Sequence, residues 1–327
     1  MDDYSSSDLM QMITGYQRSR ILLSAVELNI FDELAGRELS SDELAEKIGA
    51  GPDSLEKLLN VLASLSLLDK NNGKFSNTES SGKYLVKSSP FFLGGIMHQN
   101  HLWNTWSKLS SVIKSSDAKK EGEINQRGNE WLKAFIAAMH ARGISRAIAI
   151  KKLINFEGVK KILDIGGGSG IFASTFIKDN PALSAVVFDL PNVISLTKEY
   201  IEKENMSDRI STLTGNYLRD HIGSGYDFIF LSAVIHSNSY DENALLIKKC
   251  ASALNKNGKI AILDYIMNDD RTIPLAGAIF AINMLVGTDE GTTYTEKEII
   301  EWMSAAGINN FELINAGEGN GLLIGGI

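Results

Sequence analysis

The sequence predicts an α/β fold in which a doubly wound, Rossmann-like sheet domain is preceded by an α-rich winged-helix domain. Three observations predict it. Residues 8–95 carry helical periodicity closed by a short hairpin pattern. From Val159 onward, short β-rich runs alternate with helix-compatible segments, the signature of a layered α/β protein. The first of those runs ends in a glycine-rich turn, Ile162-Leu-Asp-Ile-Gly-Gly-Gly-Ser-Gly170, which opens a helix at about Ile171. The expected boundaries are 1–95 for the winged-helix domain, 96–155 for connecting helices and 156–327 for the sheet domain.

Taken in order, Leu22, Leu23, Val26, Ile30 and Phe31 recur at helical spacing. Ser40 followed by Glu43 is a capping-box pattern that opens a helix over 42–48, and Gly49 and Gly51 can end it. Leu55, Leu58, Leu59, Leu62, Leu65 and Leu68 then form one helical stripe, after which Asn71-Asn72-Gly73 separates two short extended pieces. Helix, turn, helix and hairpin make a winged helix. Its second helix offers Lys57 alone against Asp53 and Glu56, a poor surface for bases or phosphates, so the module is expected to dimerise rather than bind DNA. In 96–155, Trp103, Trp106, Trp131, Phe135 and Met139 can share a face, with a polar break over 122–128. Strands are expected at 161–165, 184–189, 226–234 and 259–266, apolar runs suited to a parallel sheet covered on both faces.

Composition narrows the function. With 327 residues, 44% of them apolar, the chain can bury full cores. Thirty-two Lys and Arg against forty Asp and Glu leave a charge of −8, the wrong sign for general affinity to nucleic acid or anionic membranes. A single cysteine, Cys250, excludes an intrachain disulfide and suits a reducing, cytoplasmic setting. The polar, acidic start lacks a secretory pattern, and the apolar stretch 275–286 is broken by Asn283 and falls short of the roughly 18 residues of a membrane span. His98, His101 and His221 have no metal-ligand spacing with nearby carboxylates, so no metal is expected.

The glycine turn carries the strongest chemical signal. Gly166, Gly168 and Gly170 allow positive φ and close approach of a ligand to backbone N–H groups at a helix start. Ile171 occupies the position where a dinucleotide fingerprint needs its third glycine, which argues against NAD. Asp189, at the end of the second strand, stands where an acid accepts hydrogen bonds from ribose hydroxyls; its bland reading is a cap for the helix after Pro191.

With the turn, the segments Phe188-Asp-Leu-Pro-Asn-Val193, Gly215-Asn-Tyr217, Val234-Ile-His-Ser237, Gly258-Lys-Ile-Ala-Ile-Leu-Asp264 and Gly291-Thr-Thr-Tyr-Thr295 make nearly the whole chain resemble one family. That family is the class I S-adenosylmethionine-dependent O-methyltransferases of small molecules, plant-type and bacterial, which include acetylserotonin and caffeic acid methyltransferases. The resemblance implies S-adenosylmethionine as cofactor and S-adenosylhomocysteine as product. It puts the methionine end of the cofactor at Gly166 and Gly168 with Asp164 and Gly170 nearby, the ribose on Asp189, and the adenine near Leu190, with Asn216, Tyr217 and Ser232 completing the cofactor set. Asn216 stands where the family commonly has Asp. It also implies a homodimer formed through the N-terminal domain and a small aromatic acceptor lined by Phe135, Met139, His140, Phe280, Asn283 and Met284.

His236 is the implied general base: imidazole titrates near neutrality and can take a hydroxyl proton during attack on the methyl group. Asp264 matches the first of two acids that flank the family's base, whereas the second position falls at Thr293. One orienting carboxylate favours an acidic hydroxyl such as a phenol. Two rivals stay open from the sequence: a same-fold protein that uses the cofactor without methyl transfer, and a winged-helix DNA-binding regulator that senses it.

Overall fold

The computed structural model describes residues 3–114 and 128–327. It divides into two compact units, Met1–His101 and Leu102–Ile327. The polar break expected over 122–128 lies, apart from Gly128, outside the described residues.

The first unit starts with α1 (Ser6–Thr14), opened by a Ser5–Asp8 capping box, and α2 (Tyr16–Glu27). The expected stripe is broken at Asn29, whose φ of 55° turns the chain into the one-turn α3 (Ile30–Glu33). After β1 (Leu39–Ser40), Ser40 and Glu43 form the capping box of α4 (Ser41–Ile48), and Gly49 ends it at a φ of 68°. Pro52 opens α5 (Pro52–Ser64). The leucine stripe ran on to Leu68, yet Ser66, at a φ of 57°, stops the helix and Leu68 begins β2 (Leu68–Asn71) instead. With β3 (Lys74–Asn77) it forms a hairpin, and β1 completes an antiparallel sheet in the order β1-β3-β2. Ile30, Phe31, Leu44, Leu59, Leu62 and Phe75 fill the core, and α6 (Glu79–Tyr84) follows.

The unit boundary falls within α7 (Gly95–Trp106). In the second unit come α8 (Leu109–Lys114), the long α9 (Asn129–Lys151), β4 (Lys161–Ile165), α10 (Ile171–Ile177), β5 (Ser184–Asp189), α11 (Pro191–Lys203) and β6 (Ile210–Thr214). They are followed by β7 (Tyr226–Ser232), α12 (Tyr240–Ala253), β8 (Leu254–Asp264), β9 (Ile266–Met267), α13 (Leu275–Gly287), β10 (Tyr294–Thr295), α14 (Glu296–Ala305), β11 (Asn309–Gly317) and β12 (Asn320–Gly326). One sheet runs in the order β11-β12-β8-β7-β4-β5-β6. Its strands from β4 to β8 are parallel, and β12 lies antiparallel between β8 and β11.

The period of two sorts each strand between two cores. Leu163, Ile165, Ile229 and Leu231 pack with Leu246, Cys250 and Trp302 on one face. Ile162, Phe228 and Phe230 pack with Ile150, Ala173 and Phe176 on the other. Burial pushes the Cys250 thiol up to about 12. The third expected strand stops at Ser232 rather than Val234, because Ala233 takes a φ of 57°. No helix among the described residues is long and apolar enough to cross a membrane.

Candidate active site

The carboxyl ends of β4, β5, β7 and β8 gather the site, the edge where open α/β sheets bind ligands. After β4, Gly166, Gly168 and Gly170 take φ values of 64°, 56° and 76°, so the turn curls sharply before α10 begins, with the Gly166 N–H donated to the Phe188 carbonyl and the Gly170 N–H to the Gly167 carbonyl, both at 2.8 Å. The three glycines serve different ends. A Cβ on Gly166 would stand 2.9 Å from Val234 and one on Gly170 3.4 Å from Val187, so these two let the turn lie close to its own sheet. A Cβ on Gly168 would meet only Ile136, at 3.7 Å, so its half-buried backbone stays open to a ligand. At Gly167 a Cβ would stand 2.8 Å from both Asp164 and Val187.

Asp189 does not cap α11, whose N-cap is Leu190. Its carboxylate accepts the Gly168 N–H at 2.8 Å and the Leu190 N–H at 2.7 Å, which ties the second strand to the turn. One further lone pair on each oxygen remains for a ligand's hydroxyls. Burial raises its pKa to about 6 against the effect of those two amides. Asp164 lies beneath Gly167, 1% exposed, with neither oxygen in a hydrogen bond of good geometry. Burial pushes it up to about 7, the Ala173 amide offsets this in part, and the Asp189 charge adds to it. Two buried acids beside an open glycine backbone fit the cationic methionine end and the ribose diol of S-adenosylmethionine.

Further along the cradle, Leu190 joins a small apolar cluster with Phe135, Ile136, Val193 and Tyr200. Asn216 caps its own turn: its side-chain oxygen accepts the Leu218 N–H at 2.9 Å. Tyr217 donates its hydroxyl to Asn238 at 3.0 Å, so that hydroxyl is spent on the loop after β7. Ser232 ends β7, half-buried. His140 stacks on Tyr200 with centroids 4.3 Å apart, and its Nδ1 lies 2.9 Å from the Ser169 hydroxyl. The ring therefore braces the glycine turn, and burial lowers its pKa.

His236 is held as tightly. His236, 8% exposed, places Nδ1 at 2.8 and 3.0 Å from the two oxygens of Asp264. An acceptor on that side keeps the proton on Nδ1 and leaves Nε2 as the free lone pair. Asp264 is itself fixed by the Tyr265 N–H at 2.8 Å. The loop carrying His236 is pinned by buried amides: Asn238 Nδ2 donates to Asn243 at 3.0 Å, and Asn243 Nδ2 donates to the Ile235 carbonyl at 2.8 Å. Tyr294 donates to the Asn238 carbonyl at 2.6 Å, and a Ser239–Glu242 capping box opens α12 behind it. The His236 carbonyl accepts the Thr292 N–H at 2.9 Å, an approach that leaves no room for a Cβ on Gly291.

Against His236 stands an apolar wall. Phe280 meets His236 edge-on at 4.7 Å between centroids and Tyr265 at 4.8 Å. Asn283 accepts the Trp106 indole N–H at 2.9 Å, and Met284 is buried. Phe135 stacks on Trp131 at 5.0 Å, and Met139 is half-buried on the same helix. Thr293 is buried in the position where the resemblance implies a second acid, and its carbonyl accepts from Arg271 at 2.8 Å. Sequence reasoning passed over Thr197, which donates to the Gly168 carbonyl at 2.6 Å, and over the Asn238–Asn243–Tyr294 network. Only the cluster of short polar residues after His236 could have hinted at the latter.

The family profile described as the O-methyltransferase domain matches residues 122–309, and that of the O-methyltransferase dimerisation domain matches residues 10–87. A relative, the 3-hydroxy-5-methyl-1-naphthoate 3-O-methyltransferase of Streptomyces sahachiroi, is 28% identical over 94% of this chain and 90% of its own. Among solved structures, an O-methyltransferase family protein from Burkholderia thailandensis superposes with a TM-score of 0.89 at 25% identity, covering 99% of this chain and 98% of its own. Human N-acetylserotonin methyltransferase in complex with S-adenosylmethionine shares the fold, with a TM-score of 0.84 at 23% identity over 99% of this chain and 98% of its own.

Proposed function

The chain belongs to the O-methyltransferase family, and from this premise we propose that it methylates a phenolic hydroxyl of a small molecule, with S-adenosylmethionine as donor and His236 as general base. The observation that carries the reading is the buried His236–Asp264 pair at 2.8 Å, which engages Nδ1 and leaves Nε2 as the lone pair.

When bound, the cofactor supplies a methyl group activated by a positive sulfonium. Gly166 and Gly168 let the methionine end lie close against the backbone of the turn, with Asp164 beneath. Asp189 accepts from the ribose hydroxyls, Leu190 covers the adenine, and Asn216 meets its edge. Phe135, Met139, Phe280, Asn283 and Met284 hold the acceptor, and the apolar wall excludes water. Nε2 of His236 takes the hydroxyl proton as the oxygen–carbon bond forms and the sulfur–carbon bond breaks. The products are a methyl ether, the thioether S-adenosylhomocysteine and a proton passed to water. A phenol suits a base supported by one carboxylate, because its proton is easier to remove than an alcohol's. The hydroxynaphthoate named for the Streptomyces relative supports an aromatic acceptor.

Helix α1 has no buried residue and leaves Leu9, Met10, Met12 and Ile13 exposed. With the dimerisation profile over 10–87, this supports a homodimer whose second copy covers that face. The surface of α5 carries Asp53 and Glu56 with Lys57, which supports the absence of a nucleic-acid role. The one cysteine is buried, in keeping with a cytoplasmic enzyme.

Replacing His236 by Ala is expected to lower turnover by about 10²–10⁴-fold while calorimetric affinity for S-adenosylhomocysteine stays unchanged. Full turnover in that variant overturns the base assignment. S-adenosylhomocysteine formed without a methylated product overturns methyl transfer itself, and light scattering that gives a monomer overturns the dimer.

A further inference from the structure

Along α9, Ile136, His140, Gly143 and Ala147 share the face laid on the glycine turn and its helix. Ile136 covers Gly168, His140 meets Ser169, Gly143 fits against Ile171, and Ala147 is buried. Arg146 lies one residue off that face, in line with Met139 and Arg142 at spacings of three and four. Its side chain is partly buried, and its electrostatic neighbours are Asp264, Tyr265 and Glu318, with Arg142 opposing. It forms no hydrogen bond and no ion pair with any of the described residues.

That combination calls for an acceptor. A guanidinium has five N–H donors and stays charged, so drawing it partly out of water without partners is uphill. Asp264 is turned to His236 Nδ1 and the Tyr265 N–H and makes no hydrogen bond with the guanidinium. Glu318 is exposed on the turn between β11 and β12. Thr293, buried where the resemblance implies a second acid, places no further negative charge there to repel an incoming anion. We propose that Arg146 recognises a carboxylate on the acceptor, so that the substrate is a hydroxylated aromatic acid whose hydroxyl meets His236 while its carboxylate pairs with this guanidinium. A planar carboxylate matches the guanidinium fork with two parallel hydrogen bonds. The inference rests on the O-methyltransferase reading of the site.

The test is calorimetric titration of the full chain, saturated with S-adenosylhomocysteine, by ortho-, meta- and para-hydroxybenzoate and by the methyl ester of each. At least one acid is expected to bind about tenfold or more tightly than its ester. Arg146→Met should bring that pair to parity with S-adenosylhomocysteine affinity unchanged, and Arg146→Lys should restore part of the preference. Equal binding of acid and ester in every pair, no binding of any acid, or a preference that survives Arg146→Met overturns the proposal. Failure of S-adenosylhomocysteine itself to bind the folded chain is a separate result that strikes the cofactor reading beneath it.

Discussion

At the turn after β4, the site is built from backbone, with the Gly168 N–H tied to Asp189; at the end of β7, it is built from side chains drawn from four separate segments. The first arrangement is local, since nine consecutive residues set the curl of the glycine turn. The second depends on distant parts: Asp264 is 28 residues from His236, and Tyr294 is 56 from Asn238. On the proposed function, backbone geometry serves the cofactor, whereas long-range packing serves the proton transfer. The two halves should fail independently and by different signs.

The largest expected break is on the side-chain half. Asp264→Asn can present its amide N–H to Nδ1 and drive the imidazole proton onto Nε2, so turnover should fall by about a hundredfold or more. Steady-state kinetics with parallel S-adenosylhomocysteine titration reads this, and a matching loss of cofactor affinity would contradict the separation. On the backbone half, Gly167→Ala sets a Cβ 2.8 Å from Asp164 and from Val187. Such overpacking costs about 1–3 kcal/mol, to be seen as a lower unfolding midpoint together with weaker cofactor binding.

The pH response sharpens the contrast. Asp164 has a pKa raised from 3.8 to about 7 in the fold, so the stability it contributes is full below its unfolded pKa and is lost as pH rises through about 7. Each pH unit of that window carries at most about 1.4 kcal/mol. Asp164→Asn should remove the loss, so thermal melts of the cofactor-free protein should show the variant gaining on the parent between about pH 5 and about pH 8. A parent stability that is flat over that range would refute the buried-acid account. The smallest effect is expected at Ser239→Ala, which deletes one side of a capping box for about 1 kcal/mol of stability, read by denaturant unfolding.

The same contrast governs what the sequence made legible. The glycine turn, the four apolar strands and the capping boxes at Ser40 and Ser239 are local patterns, and each appears in the structure with bounds shifted by a few residues at most, except the start of β8. Three further strands of the large sheet escaped. Strand β6 mixes serine and threonine into a short run, β11 exposes most of its residues, and β12 carries three glycines among its seven residues, so none alternates or runs apolar for long. Of the candidate site, the acid and glycine positions were readable because their spacing is fixed by one turn. The bracing of that turn by His140 and Thr197, and the unpartnered Arg146, follow from how α9 and α11 dock, which no local pattern encodes.

Cys250 sits on α12 with no exposed surface, and burial holds its thiol at about 12. Thiolate is the reactive form, so a maleimide or disulfide reagent meets an inert residue while the second unit is folded. The chain thus carries a built-in clock for that unit alone: labelling advances only as fast as the sheet and α12 part, and the first unit, having no cysteine, adds no signal. Retardation of labelling by S-adenosylhomocysteine would then report how far occupancy of the glycine turn slows the opening of a helix on the opposite face of the sheet from α10.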